Sequence, residues 1–153
     1  MGVWYLISVF IHVIGAAFWI GGMLFLPLIF LPSIKNNPER TQLLYTTGIK
    51  LRTYGWIAVS LLVISGIFNM YFRGIPLDWE FLTETKYGKL LGLKLGFFCF
   101  MLIVGAIHDF YVGKKAIEDA GKLKVMARWS GRINLMMAII IAFLGVALSR
   151  GGI

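Results

Sequence analysis

The sequence has few acidic residues, few histidines and almost no cysteine. Among its 153 residues are seven aspartates and glutamates, two histidines and one cysteine, Cys99. A lone cysteine excludes an intrachain disulfide, and its position in an apolar run predicts a small core residue. Phosphate-binding loops, nucleophile elbows, paired catalytic carboxylates and the patterns CxxC, HxxxH and MxxxM do not occur in the sequence. The function classes that depend on these motifs are therefore excluded.

The sequence is rich in apolar residues. They make up 59% of the chain, and the mean hydropathy is +0.82, far above that of soluble domains. Four apolar stretches have the length of a membrane-spanning helix, at about residues 3–31, 54–72, 90–112 and 133–148. The sequence therefore predicts an all-α integral membrane protein, a four-helix transmembrane bundle that forms a single domain over residues 1–153. No internal repeat is expected.

Basic residues are concentrated in two of the three predicted loops. Because short cytoplasmic loops carry an excess of lysine and arginine, both loops are expected to face the cytoplasm, with both termini on the outer side. The chain is thus predicted to be a multi-pass protein of the inner (plasma) membrane. The net charge of +8 suits anionic lipid headgroups, and nucleic acid is not an expected partner. The basic residues are Lys35, Arg40, Lys50 and Arg52 in the first loop and Lys114, Lys115, Lys122, Lys124, Arg128 and Arg132 in the third.

Both histidines and one lysine lie within the predicted spans. His12 is in the first helix, whereas Lys94 and His108 are in the third, fourteen residues apart and so nearly on one face. Ionisable groups at membrane depth are costly and usually face a cofactor, a partner or a cavity. At about 1.5 Å per residue, we expect His12 and Lys94 at similar depth in the outer half, and His108 about 20 Å deeper. Two sites are predicted, or one site plus a structural histidine.

Aromatic, thioether and small side chains follow these residues along the same helix faces. Trp19 and Met23 share the face of His12, and Met101 and Gly105 share the face of the third-helix residues. Imidazole suits haem iron, copper and zinc, and a porphyrin needs one or two axial ligands within an apolar slot. These four residues are predicted to line such slots.

The other features of the spans are interpreted as structural. Ser65 and Asn69 in the second helix, and Asn134 at the start of the fourth, are expected to form hydrogen bonds between helices. Pro27 is expected to kink the first helix, because proline lacks a backbone donor and clashes with the preceding turn.

Several segments resemble known membrane-protein families. The strings HVIGAAFWIGGMLFLPLIFLP, ISGIFNMYF and TKYGKLLGLKLGFFCFMLIVGAIH are similar to the CopD-type copper-resistance membrane domain and to the related HemJ-type protoporphyrinogen oxidase. The resemblance to HemJ-like proteins implies haem b, with their helix-one histidine and helix-three lysine falling on His12 and Lys94. The histidine at the end of their third helix falls on His108. The resemblance to the CopD-type domain implies copper transport or tolerance.

The leading interpretation is a protein with one or two haem b groups, acting in electron transfer or as an oxidoreductase of the protoporphyrinogen-oxidase type. His12 is the predicted outer axial ligand, with Lys94 opposite it or on a propionate. His108 would ligate a second haem or stabilise the first site. Quinone is a candidate redox partner, and a homo-oligomer, most simply a dimer, could supply a further histidine. The alternatives are a copper transport or tolerance protein and a structural or assembly subunit.

Overall fold

The computed structural model describes residues 2–76, 78–112 and 122–152, and within these ranges it contains helices and no strand. Helix α1 covers Val3–Phe25 and continues through a π-helical turn, Leu26–Phe30, into a last α-helical turn, Leu31–Ser33. Helix α2 covers Arg40–Phe72, and the short helix α3 covers Trp79–Glu84. Helix α4 covers Lys86–Ile107 and continues into a π-helical turn, His108–Val112, and α5 covers Lys122–Ser149. Four segments are long and apolar enough to cross a membrane: Val3–Ser33, Arg40–Phe72, Lys86–Phe110 and Arg128–Ser149. The predicted all-α membrane fold with four spans is confirmed.

Two of the long helices begin earlier than their apolar runs. Helix α2 starts at Arg40 rather than near residue 54, and α5 starts at Lys122 rather than near residue 133. Hydropathy marks only the part of a helix that is apolar, whereas the backbone ladder continues until something interrupts it. No proline lies in either polar segment, so each helix extends through it.

Contacts divide the chain into two units, Met1–Ile75 and Pro76–Ile153. In the first unit α1 packs antiparallel against α2, and in the second α4 packs antiparallel against α5; we call these the first and second helix pairs. The direction follows from the contacts: Gly15 lies against Leu62 and Trp19 against Gly55 in the first pair, and Lys94 lies against Gly145 and Gly105 against Asn134 in the second. The single domain expected over residues 1–153 stays a prediction.

Most large apolar side chains point away from the packed interfaces. The exposed fraction is 73% for Trp4 and 68% for Phe143, values that suit a lipid environment, because in water such side chains would be driven inside. Cys99 is also exposed. The expectation that this thiol lies in the core is therefore wrong: the apolar run around it faces lipid on one side and the partner helix on the other.

Pro27 interrupts the α-helical bonding of α1, as the sequence predicts. The Leu31 N–H donates to the carbonyl of Leu26, five residues back, which is the π-helical pattern. The wider turn accommodates the proline ring, and the helix continues to Ser33.

The corner between α3 and α4 is fixed by two side-chain caps. The Phe81 N–H donates to Asp78 Oδ1 over 2.6 Å, and the Gly88 N–H donates to Thr85 Oγ1 over 2.9 Å. Both are N-caps, which satisfy backbone donors that a helix start leaves unpaired. Gly88 is buried beneath this corner, against the carbonyl of Phe81.

Candidate functional site

His12 lies in the first helix pair, half-buried against Ser65 of α2. Its Nδ1 is 3.0 Å from Ser65 Oγ, and the Ser65 hydroxyl donates to the backbone carbonyl of Leu61. A hydroxyl has a single proton, so Ser65 accepts from the imidazole. This arrangement places the imidazole proton on Nδ1 and the ligand lone pair on Nε2. The buried Ser8 hydroxyl donates to the backbone carbonyl of Ser65 over 3.0 Å. This second hydrogen bond links α1 to α2 beside the imidazole.

His108 has the same kind of partner in the second helix pair. Its Nδ1 is 2.7 Å from Ser130 Oγ, and the Ser130 hydroxyl donates to the carbonyl of Met126 over 2.8 Å. The same reasoning puts the imidazole proton on Nδ1 and the lone pair on Nε2. His108 is also the first residue of the π-helical turn after α4, and such turns are frequent at functional sites.

Two buried amide oxygens have no hydrogen-bond partner among the described residues: Asn69 Oδ1 and Asn134 Oδ1. Each asparagine follows its serine by four residues, so it lies on the same helix face, and helical side chains lean towards the N-terminus, here towards the serine. Asn134 is 8% exposed. The expectation of interhelical hydrogen bonds is confirmed for Ser65 and wrong for these two oxygens. A buried carbonyl without a donor costs about 1–3 kcal/mol, so each needs an explanation.

The two clusters share a sequence motif, Ser-Gly-x-x-Asn. It reads SGIFN at 65–69 and SGRIN at 130–134. Three shared residues are too few to define a structural repeat, so the expectation of no internal repeat stays a prediction. The serine and its histidine are 53 residues apart in the first pair and 22 in the second. No single shift of the sequence superposes both the two histidines and the two SGxxN strings. The two strings themselves could have indicated from the sequence that the clusters are alike.

The other predicted site residues are divided between the two helix pairs. His12, Trp19 and Met23 belong to the first pair, and Lys94, Met101, Gly105 and His108 belong to the second. The Lys94 ammonium lies against Gly145, and a Cβ placed at Gly105 would be 3.0 Å from Asn134 Nδ2. The Trp19 ring lies against Gly55, and its Nε1 is buried without a hydrogen-bond partner among the described residues. Met101 is 2% exposed, and Met23 is half-buried.

No three histidine, cysteine, aspartate or glutamate side chains come together in the part of the chain that the structure describes. Each imidazole is instead accompanied by one hydroxyl and, one helical turn away, one amide oxygen. A metal ion held by such a cluster would have one nitrogen ligand, with oxygen donors nearby.

Comparison with known proteins identifies the family. The family model of copper resistance protein D matches residues 49–148. The chain belongs to the copper resistance protein D family. It is 33% identical to an uncharacterized protein of Aquifex aeolicus (strain VF5) over 144 residues, 93% of each chain. It is 31% identical to the copper transport protein CutJ of Bacillus subtilis (strain 168) over 128 residues, 84% of this chain and 23% of CutJ. No solved structure matches the chain significantly.

The comparisons favour the copper alternative over the leading interpretation of the sequence. Copper resistance protein D is the matched family, and the matched range contains Lys94, His108 and both SGxxN motifs while His12 lies before it. This CopD-family chain is a multi-pass protein of the plasma membrane. Haem b, electron transfer and a relation to the HemJ-type oxidase receive no support from these comparisons.

The packing of His12 makes a test with a matched control possible. A Cβ placed at Gly66 would lie 3.4 Å from His12 Cε1, whereas a Cβ at Gly48 on the same helix meets nothing within 4 Å. We expect Gly66→Leu to displace the imidazole and to lower the unfolding free energy by about 1–3 kcal/mol relative to Gly48→Leu, because a packed interface resists added volume. Unfolding in detergent, followed by circular dichroism, measures the difference. Equal stability of the two variants would show that His12 is not packed against α2.

Proposed function

We propose that this protein binds copper ions within the membrane and carries them across it. The observation that carries the proposal is that each helix pair holds one histidine whose Nδ1 is bonded to a serine on the paired helix. Membership of the copper resistance protein D family and the similarity to a protein named as a copper transporter support the choice of metal.

The chemistry of the two histidines fits this role. Imidazole is a good copper ligand, and a histidine that binds a metal through one ring nitrogen usually donates its other N–H to a protein acceptor. Transport also requires binding that is strong enough to admit an ion and weak enough to release it. A single imidazole with neutral oxygen donors nearby provides such moderate binding.

The remaining site residues and partners stay predictions under this proposal. Trp19 and Met23 are proposed to line the ion site of the first helix pair, and Lys94, Met101 and Gly105 that of the second. The outer location of both termini, a dimer, quinone and haem b have no support from the contacts of the described residues. Haem b is retained only as an outcome that the following experiment can detect.

The test is copper uptake by liposomes that contain the purified protein. A copper-sensitive dye inside the vesicles reports entry, with copper supplied in the presence and absence of ascorbate. We expect uptake well above that of protein-free liposomes, and the His12→Ala/His108→Ala double variant should fall to the protein-free rate, because both imidazole ligands are gone.

Two results would overturn the proposal. One is uptake by the wild-type protein at the protein-free rate, with the protein shown to be inserted and folded by circular dichroism. The other is a visible spectrum of the purified protein with a Soret band that disappears in His12→Ala, which would return the haem interpretation to first place.

A further inference from the structure

The same three-residue arrangement occurs once in each helix pair. In the first pair it consists of His12, Ser65 and Asn69, and in the second of His108, Ser130 and Asn134. In both, the histidine is on the leading helix, and the serine and asparagine are four residues apart on the trailing helix. Two helix pairs that share one motif and one hydrogen-bonding pattern are expected to perform the same task.

The serine determines which imidazole nitrogen is presented to a ligand. In each pair its hydroxyl proton is committed to a carbonyl of its own helix, that of Leu61 or Met126. The hydroxyl oxygen must therefore accept from Nδ1, which orients the ring and leaves the metal-binding lone pair on Nε2. Metal-binding histidines usually have such a partner, here a hydroxyl bonded to a backbone carbonyl, which accepts the proton of the ring nitrogen that does not bind the metal.

The asparagine supplies a second donor atom of a different kind. In both pairs its carbonyl oxygen is buried without a donor among the residues that the structure describes, which is unfavourable unless a cation or another donor occupies the site. The Asn134 side chain lies over Gly105 with its amide nitrogen nearest, and Gly105 precedes His108 by three residues, so the asparagine is next to the face of α4 that carries His108. One imidazole nitrogen and one amide oxygen form a nitrogen-and-oxygen donor set of the type that suits Cu²⁺.

We propose that each helix pair holds its own copper subsite, in which histidine Nε2 and asparagine Oδ1 are the ligands. The serine is a positioning residue that fixes the imidazole. This inference rests on the proposed function for the identity of the metal, but it makes a separate claim about number and construction: two subsites of equal design in each chain.

The subsites differ in their position along their own helices. His12 lies 21 residues before Ser33, in the half of the first pair away from the connection between α1 and α2. His108 follows Ile107 directly, at the C-terminal end of α4 in the second pair.

The experiment is a Cu²⁺ titration of the full chain in detergent, followed by electron paramagnetic resonance. We expect two Cu²⁺ per chain, each with nitrogen superhyperfine structure from one imidazole. His12→Ala and His108→Ala should each remove one equivalent, and the double variant both. Asn69→Leu and Asn134→Leu should each weaken one equivalent while its nitrogen signal remains, because the imidazole is still present.

The positioning role has its own matched controls. Ser65→Ala and Ser130→Ala should each weaken one subsite by about 10–100-fold, the usual effect of removing the hydrogen-bond partner of a metal-binding histidine. They should also change the superhyperfine pattern, because the ring is no longer held to Nε2 ligation. Ser60→Ala and Ser149→Ala remove hydroxyls that donate to a carbonyl of their own helix, and should leave both subsites unchanged. Ser65→Thr and Ser130→Thr should restore binding.

The outcomes separate this inference from the proposed function. Copper uptake by liposomes together with a single Cu²⁺ per chain, or with serine variants that match their controls, would overturn the two-subsite inference alone. Two subsites with the expected variant behaviour but no uptake would overturn transport and leave the subsites standing. A titration without Cu²⁺ binding above that of the histidine double variant would overturn the two-subsite inference, and liposome uptake would then decide the proposed function by itself.

Discussion

Replacing Gly88 by alanine should strongly destabilise the second helix pair. The added Cβ would meet the carbonyl oxygen and carbon of Phe81 and the hydroxyl of Thr85. Those atoms belong to the corner in which Thr85 caps α4, and a backbone carbonyl cannot rotate away as the end of a side chain can. We expect a loss of about 3 kcal/mol in unfolding free energy, at the upper end of overpacking costs. Unfolding in detergent, followed by circular dichroism, measures it.

Gly92 provides the control on the same helix, one turn further on. A Cβ there would find its nearest neighbour, Leu82 Cδ2, at 4.0 Å, so Gly92→Ala should be neutral or stabilising by up to about 1 kcal/mol through helix propensity. If both alanine variants unfold at the same denaturant concentration, the close packing of α4 beneath the corner is refuted.

Asn134→Leu should change stability and copper binding in opposite directions. Leucine has the same branched shape as asparagine, and it removes a buried amide oxygen that has no donor in the described part of the chain. The copper-free protein should therefore become more stable by about 1–3 kcal/mol, the cost of such an unsatisfied group. The second subsite should lose at least about tenfold in Cu²⁺ affinity, because one ligand is missing.

This pair of effects distinguishes a binding residue from a structural one. If Asn134 served only to hold α4 and α5 together, its replacement would lower stability and leave copper binding intact. Ile133→Leu is the reference, since that side chain is adjacent and 38% exposed, and it should alter neither property. Loss of stability in Asn134→Leu would contradict the assignment.

The spans were predictable from sequence because lipid imposes a simple requirement. Twenty consecutive apolar residues can cross the hydrocarbon layer only as a helix whose backbone groups are all bonded. Three of the four apolar runs lie within the spans found, and the third run extends two residues past its span, which ends at Phe110. The apolar runs put the starts of two helices near residues 54 and 133, whereas these helices begin at Arg40 and Lys122. Hydropathy detects only the apolar part of a helix, so it does not show how far the helix extends beyond the membrane.

The functional clusters were only partly predictable. His12 and His108 were recognised because an imidazole in an apolar run is costly. Their partners were not, because Ser65 and Ser130 meet them through the register between two helices, and that register depends on close packing at residues such as Gly15 and Gly55. A general tendency of polar groups to bond between helices cannot show which oxygen remains without a donor.

The length of α2 has a mechanical consequence. Its 33 residues form one rod about 50 Å long, whereas the hydrocarbon layer is about 30 Å thick. Its polar first turns therefore reach the headgroups or beyond them, while Ser65 and Asn69 lie near its other end. Because the helix is uninterrupted, a displacement of those first turns along the helix axis also displaces the Ser65 hydroxyl that is bonded to His12. The helix thus couples the membrane surface to the imidazole.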